Sequence, residues 1–568
     1  MKCLSLGRSL THRIEYISAA MQNIKPFFRQ YWLVAFFWLL RGGLCNSEWP
    51  SLSATRATAL RTQRDISKNI SINEDVVIGA RLSTLLWDVD GYQNSTLENV
   101  RNLLNVGVQA LVLDVYLDES TLQWQLCPAP LPTNSDFNVS SLKYNGATYV
   151  CDRYLTLEGL LDVVKTFLIE TDTNLSANLL DLVFVLRSIW PSSDPVSSAL
   201  LESTNTSLTK AISSVGLGRL FLSSDVSPDA RSNYDFPTLD NFLFSENKRV
   251  LPVIISDYLS SNTSYEISDD ESAFFVKGKN TNVAFEHFGD LECQGRVSES
   301  EVEDTLNYQF RFAYDDESSP FSTDDFKSTQ LCGFTPILAS PIQPLEDISS
   351  FLDYSFWSWA PAEPRNLTSL QKSVNSTQTD VSSSSDLYIS NCAVATSDGW
   401  KATNCYAKHY AACRNDTDPY DWYIETSSKM TYFEATGLSQ GNLNDVDNIC
   451  HDGAKFSCPR DAFQQAALLQ VIEAKFGDEE VPVWIDMNSI SSMNCWVTGG
   501  SNAACTYQKI VSKSVFSQMI TPTCVCAFVL LMAMIILHFD RVPVQTNRKY
   551  WKRTLDKYSK NEYEGVPS

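Results

Sequence analysis

From Ser514 to Phe539 the chain carries no Asp, Glu, Lys or Arg, and no other feature constrains it as strongly. The apolar centre, Ile520 to Phe539, has the roughly 20 residues that a helix needs to cross the hydrocarbon core of a bilayer. Pro522 and the threonines beside it are expected in the first turn, where a missing amide is tolerated. Asp540-Arg541 follows, and then Arg548, Lys549, Lys552, Arg553, Lys557 and Lys560. Basic residues stay in the cytoplasm, so residues 514–539 read as a transmembrane helix, 540–568 as a cytoplasmic tail and everything before as lumenal or extracellular.

The N-terminal end agrees. Tyr31 to Leu40 (YWLVAFFWLL) follows Lys25 and Arg29 and precedes Gly42, Gly43, Leu44 and Cys45. A basic flank, a short apolar run and small residues make a secretory signal, and ten helical residues reach only about 15 Å, too short to span. Residues 1–45 are therefore expected to be a signal peptide, with Met1 or Met21 as its start. The result is a single-pass type I membrane glycoprotein of the secretory pathway. Nine Asn-x-Ser/Thr sites, at Asn69, Asn94, Asn138, Asn174, Asn205, Asn262, Asn366, Asn375 and Asn415, all fall on the lumenal side and are expected to carry glycans. The formal charge is −23 overall, and the +5 of residues 1–45 and +3 of the tail leave −31 for residues 46–539. Such a surface repels phosphate polymers and argues against direct nucleic-acid binding.

Eleven cysteines lie between Cys127 and Cys505, in a compartment that oxidises them. Cys127–Cys151 is expected to close the hairpin after the second strand. Cys293–Cys332, Cys392–Cys405 and Cys495–Cys505 are the next expected pairs, and Cys413 pairs with Cys450 or Cys458. An odd count leaves one thiol over unless Cys45 is retained. Cys524 and Cys526 fall in the membrane helix and are expected to be reduced.

Residues 46–75 read as a polar lead-in. From 76 to 365 short apolar runs alternate with amphipathic stretches. Val76–Gly79, Val108–Val115, Leu179–Ile189, Leu217–Leu222 and Val250–Ser256 read as strands; Thr96–Leu104, Leu155–Ile169 and Thr238–Phe244 read as helices. That alternation predicts βαβ units, a parallel sheet and, at about 290 residues, a barrel-sized α/β domain. Residues 366–386, rich in Ser and Thr, read as a linker. Residues 387–513 hold seven of the cysteines and read as a small disulfide-held α+β domain.

Four pieces of the barrel region resemble the phosphatidylinositol-phospholipase-C-like phosphodiesterases. These are Asn105 to Tyr116 around Asp114, Trp124-Gln-Leu-Cys127-Pro128, Pro237-Thr-Leu with Lys248-Arg249-Val-Leu, and Trp357-Ser358-Trp359-Ala-Pro361-Ala-Glu-Pro364, which resembles the last strand. The resemblance implies a TIM-type barrel and two catalytic histidines, a general base and a general acid. Neither position has one. Ala80-Arg81-Leu82-Ser83-Thr84 lacks His, and Pro128 follows Cys127. Only His287 of the five histidines falls in the region. A non-catalytic barrel is the expectation, with Asp114 a hydrogen-bonded strand-end carboxylate. The competing reading is a lumenal phosphodiesterase built on Asp114, Arg81 and His287.

The cysteine-rich region resembles C-type-lectin-like domains with the halves in swapped order. Cys392, Trp400, Cys405 and Cys413 resemble the closing half; Asp461–Glu473, Val483-Trp484-Ile485-Asp486 and Cys495-Trp496-Val-Thr-Gly499-Gly500 resemble the first helix and the middle. The calcium-binding triplets of sugar-binding members are missing, and no zinc spacing or phosphate loop occurs, so no metal or cofactor is expected. The expected partners are the membrane and a lumenal protein or glycan ligand. Val483 to Ser491, Cys495 to Gly500, Arg541-Val-Pro, Asn547 to Trp551 and Glu564 to Ser568, with Arg64-Asp65 and the Pro237 block, resemble in one order the fungal family named maintenance of telomere capping protein 6. That resemblance implies a type I membrane protein involved in telomere capping. Because the bulk of the chain is lumenal, the involvement it implies is indirect.

Overall fold

The computed structural model describes residues 49, 51–132, 138–190, 206–226, 236–291, 299–342, 345–365, 391–437, 449–451, 453–477, 479–507, 513–541 and 548–562. Residues up to Cys505 form one compact unit and residues 506–568 a second.

Eight strands, all parallel and in chain order, wall the first part: β1 Gly79–Arg81, β2 Ala110–Asp118, β3 Leu180–Ile189, β4 Val250–Ile255, β5 Phe275–Val276, β6 Val283–His287, β7 Phe310–Tyr314 and β8 Thr335–Leu338. β1 pairs with both β2 and β8, so the sheet curls back on itself. Among the described residues the ring is broken only between β5 and β6, where the single bridge Lys277–Thr281 occurs. The result is a nearly closed barrel.

The strands are apolar on both faces because both are covered. Val112, Val183, Val253, Phe285, Phe312 and Ile337 belong to the interior cluster. Leu111, Leu113, Leu182, Phe184 and Ile254 face outward and pack with Val100, Leu103 and Leu104 and with Leu160, Leu161 and Val164. Those two sets come from amphipathic helices at Leu97–Asn105 and Leu157–Glu170, the second begun by Thr156, whose hydroxyl accepts from the Gly159 amide. A Cβ on Gly79 would run into Ile337 and lie 2.8 Å from Ala110 Cβ, so β1 needs glycine to reach both neighbours.

Several expected elements move. Val76–Ile78 are buried but in three different clusters, which is why the run is apolar without pairing; the strand begins at Gly79. Leu217–Arg219 is one 3-10 turn and Leu220 makes a lone bridge to Val250, because Gly216 at φ +115° breaks the extended run. Trp357–Pro364 is not the last barrel strand: Trp359 bridges to Trp400, and β8 closes the ring instead. The polar lead-in contains a helix, Ala54–Ile66, capped by Ser53.

The cysteine-rich region is a sheet of six strands: β9 Cys392–Thr396, β10 Gly399–Thr403, β11 His409–Asn415, β12 Trp422–Met430, β13 Ala454–Phe456 and β14 Val483–Asn488. Their order is β10-β9-β14-β11-β12, with β13 on β11. The helix Ala462–Phe476 starts at Asp461, whose carboxylate accepts from the Gln464 amide. Ala59, Ile66, Phe356, Trp357 and Trp359 share one apolar cluster with Trp400, Trp422, Leu468, Ile485 and Trp496. The Trp359 ring lies 4.9 Å from that of Trp496 and 5.6 Å from that of Trp400. Gly333, at φ +77°, sits against the ring of Phe463, leaving no space for a Cβ.

The second unit holds two helices, Lys513–Arg541 and Arg548–Glu562. Ile520–His538, 19 residues, is the one helix among the described residues long and apolar enough to cross a membrane. Pro522 lies inside the helix, not in its first turn, so it offers no amide to the Gln518 carbonyl.

Candidate functional site at the barrel mouth

Inward-facing side chains at the carboxyl ends of parallel strands converge at the barrel mouth. Arg81 ends β1, Asp114 and Tyr116 lie on β2, Arg187 on β3, His287 ends β6 and Tyr314 ends β7. The Asp114 side chain is 2% exposed, and it accepts four bonds. Arg81 Nε donates to Oδ2 at 2.8 Å and Arg81 Nη2 to Oδ1 at 2.6 Å, a two-pronged pair. Arg187 Nε donates to Oδ1 at 3.0 Å, and the Ser83 hydroxyl donates to Oδ2. Burial alone would raise the Asp114 pKa, but the hydrogen bonds and charge of Arg81, with Ser83 and Arg187, hold it below the ordinary carboxylate value. Burial would likewise lower Arg81, and Asp114 more than reverses this. The two guanidiniums also stack: Arg187 lies 4.7 Å from the Tyr258 ring centre and Arg81 5.9 Å from that of Tyr314.

This cluster forms the floor of a cavity of about 570 Å³, whose walls include Trp87, Asp88, Tyr92, Tyr149 and Pro128. A second cavity of about 380 Å³ continues past Arg81 towards Tyr314 and Asp316. Burial, then the Asp114 charge, raises the pKa of Asp88, although the Tyr92 hydroxyl donates to it at 2.9 Å. Burial also raises the phenols of Tyr92 and Tyr116.

Two of the three residues named for an enzyme, Arg81 and Asp114, meet here. His287 does not join them. Its ring lies 5.9 Å from that of Tyr314, its Nδ1 accepts from the Gly289 amide, and its Nε2 lies 3.6 Å from Asp316 Oδ2 without a hydrogen bond. His287 lines neither cavity. Pro128, standing where a histidine was expected, does line the first. Asp114 is hydrogen-bonded as expected, but it lies in the middle of β2, not at its end, and it holds two cations. Arg187 was missed. The only sequence signal was a basic residue two places before the end of an apolar strand.

Of the glycosylation candidates, Asn69, Asn94, Asn138, Asn174 and Asn262 are exposed. Asn415 is half-buried, with Nδ2 donating to Asp421 Oδ2 at 3.0 Å. Asn205, Asn366 and Asn375 lie outside the described residues, as does Cys293. Disulfides join Cys127 to Cys151, Cys392 to Cys405, Cys413 to Cys450 and Cys495 to Cys505. Cys332 is also disulfide-bonded, Cys458 is a buried thiol, and Cys524 and Cys526 are free.

Eight parallel strands in chain order, with only a 3-10 turn at Ile267–Asp269 between β4 and β6, define a TIM-barrel-like protein whose ring is incomplete. Residues 50–358 match the family profile described as the MTC6 partial TIM-barrel domain. Proteins named Maintenance of telomere capping protein 6 are similar along nearly the whole chain. The one from Debaryomyces hansenii is 33% identical over 92% of this chain and 97% of its own. That from Meyerozyma guilliermondii is 31% identical over 94% and 98%. The chain belongs to the maintenance of telomere capping protein 6 family. Among solved structures, a calcium-dependent phosphoinositol-specific phospholipase C from a Pseudomonas species is similar at 12% identity and TM-score 0.27, over 48% of this chain and 91% of that one.

Proposed function

We propose that this chain is a single-pass type I membrane glycoprotein whose lumenal barrel binds a ligand without turning it over, and which serves telomere-capping maintenance indirectly. One observation carries the non-catalytic reading. The buried carboxylate at the barrel mouth is already saturated by Arg81, Arg187 and Ser83 and is held ionised. A general base must have room to take a proton and a pKa near working pH, and Asp114 has neither. The lone histidine nearby lies outside the cavity. The ligand is a lumenal glycan or protein group, met by aromatic walls and by guanidinium N–H groups that Asp114 does not use. The net negative charge of residues 46–539 argues against nucleic acid as a direct partner.

Residues 387–513 fit this role as a C-type-lectin-like module with swapped halves. In support, Cys392 on β9 and Cys413 on β11 come before the helix Ala462–Phe476 in sequence yet share a sheet with β14, which follows it. The apolar helix, the disulfides and the exposed sequons support the lumenal placement.

The test is a direct assay. Full-length protein in detergent is given phosphatidylinositol vesicles and a chromogenic phosphodiester, and no phosphomonoester is expected. Turnover that disappears in Arg81→Gln would put the phosphodiesterase first. For topology, a tag after Ser568 should be digested by protease on intact vesicles while glycosidase lowers the mass in steps; a protected tag would overturn the orientation.

A further inference from the structure

The helix Arg548–Glu562 has two unlike faces. Taking 3.6 residues per turn, Trp551, Leu555 and Tyr558, spaced i, i+4 and i+7, fall within about 60° of each other. All three are exposed, at 64%, 64% and 71%, and Tyr550 beside them is 65% exposed. Arg548 and Lys552 border this stripe on one side, while Lys549, Arg553, Lys557 and Lys560 lie behind it. Of the two acids, Asp556 falls on the back, and position 562, in the last turn, returns to the angle of the stripe. An apolar strip carrying Trp and Tyr, edged on one side by cations and backed by four more, matches the boundary between acyl chains and headgroups.

We infer that residues 548–562 are an interfacial helix that docks on an anionic phospholipid surface. The reading rests on Ile520–His538 spanning the membrane. Six residues, 542–547, separate the two helices. Seven backbone steps reach at most about 25 Å, so the helix cannot leave the neighbourhood of the bilayer. Each Lys or Arg near an anionic leaflet strengthens binding about fivefold, and this helix holds six against two acidic residues. On that account the tail is held flat against its own membrane.

The experiment follows amide hydrogen exchange of the full-length protein in two kinds of nanodisc, phosphatidylcholine alone and phosphatidylcholine with phosphatidylserine in equal parts. Amides of 549–560 should exchange about tenfold more slowly in the second. High salt should remove most of the difference, and so should the triple variant Lys549→Gln, Lys552→Gln, Arg553→Gln, whose glutamines keep helix propensity. Leu555→Glu should remove it as well. Equal exchange in both lipids overturns the inference. Slow exchange that appears only on adding an acidic helix-binding protein such as calmodulin also overturns it, in favour of a protein partner. Alkaline carbonate extraction of the membranes from which the protein is taken separates the two readings. A protein that resists extraction yet shows no lipid-dependent protection keeps its span and loses the interfacial helix; an extractable protein loses both.

Discussion

The two ends of the barrel use arginine in opposite ways. At the mouth, Arg81 and Arg187 turn to one carboxylate, Asp114. At the base, arginines turn to backbone carbonyls on the loops that feed the strands. Arg56 donates to Val106 O ahead of β2, Arg249 to Asn178 O ahead of β3, and Arg311 to Tyr308 O and Gly333 O ahead of β7 and β8. Arg64 does the same to Asn174 O and Ala177 O while also pairing with Asp65. The chemistry follows the partners. Burial pushes Arg249 and Arg311 down to about 10, whereas Asp114 raises Arg81. Meanwhile Asp181 at the base is buried with Oδ1 unbonded, and burial beside Asp75 pushes its pKa up to about 8. The mouth is a closed set of charges, and the base is a set of staples with a leftover acid.

The sharpest way to break this contrast is Asp114→Ala. It strands a buried guanidinium and should cost about 3–5 kcal/mol, seen as a large drop in the unfolding temperature of the solubilised protein. A small drop would mean that the mouth charges are not a unit. Arg311→Met comes next. It fills similar space but leaves three carbonyls without their donor, at Tyr308, Gly333 and Asn73, for a loss of about 2 kcal/mol.

Asp181→Asn should have the opposite sign. Its folded pKa of about 8 lies above the unfolded value of about 3.9, so the stability tied to its proton is complete below about pH 4 and is lost as pH rises to 8. The amide should therefore gain on the acid as pH rises from about 4 to about 8, and the gain should fade towards pH 4. A pH-independent difference would contradict the buried-acid account. The smallest effect belongs to Arg187→Gln. That side chain is 33% exposed and contributes one of the four bonds to Asp114, so a change under about 1 kcal/mol is expected in the same unfolding assay.

What the sequence revealed tracks how local the signal is. β2, β3 and β4 stand out because strands covered on both faces are unbroken apolar runs. Leu97–Asn105 and Leu157–Glu170 stand out because one face is apolar. β5 to β8 were not legible: β5 has two residues, and β6 and β7 interleave Glu286, His287 and Arg311 among their aromatics. Ala54–Ile66 was hidden for a different reason. It buries Arg56, Thr58, Thr62, Gln63 and Arg64, so its inward face looks polar, and only the carbonyls and Ser358 that meet those groups explain it. Arg81 and Asp114 were visible as candidates. Their saturation was not, because the third and fourth partners, Arg187 and Ser83, come from a strand 73 residues away and from a turn.

The tryptophan cluster has a consequence for how this molecule can be divided. Trp357 and Trp359 belong in sequence to the barrel, yet Trp359 meets Trp400 and Trp496, from beyond residue 390, edge to face and takes its bridge from Trp400. Parting the two regions would expose Trp357 and Trp359 on one side and Trp400 and Trp496 on the other. The barrel and the cysteine-rich sheet therefore cannot be exchanged as modules between genes.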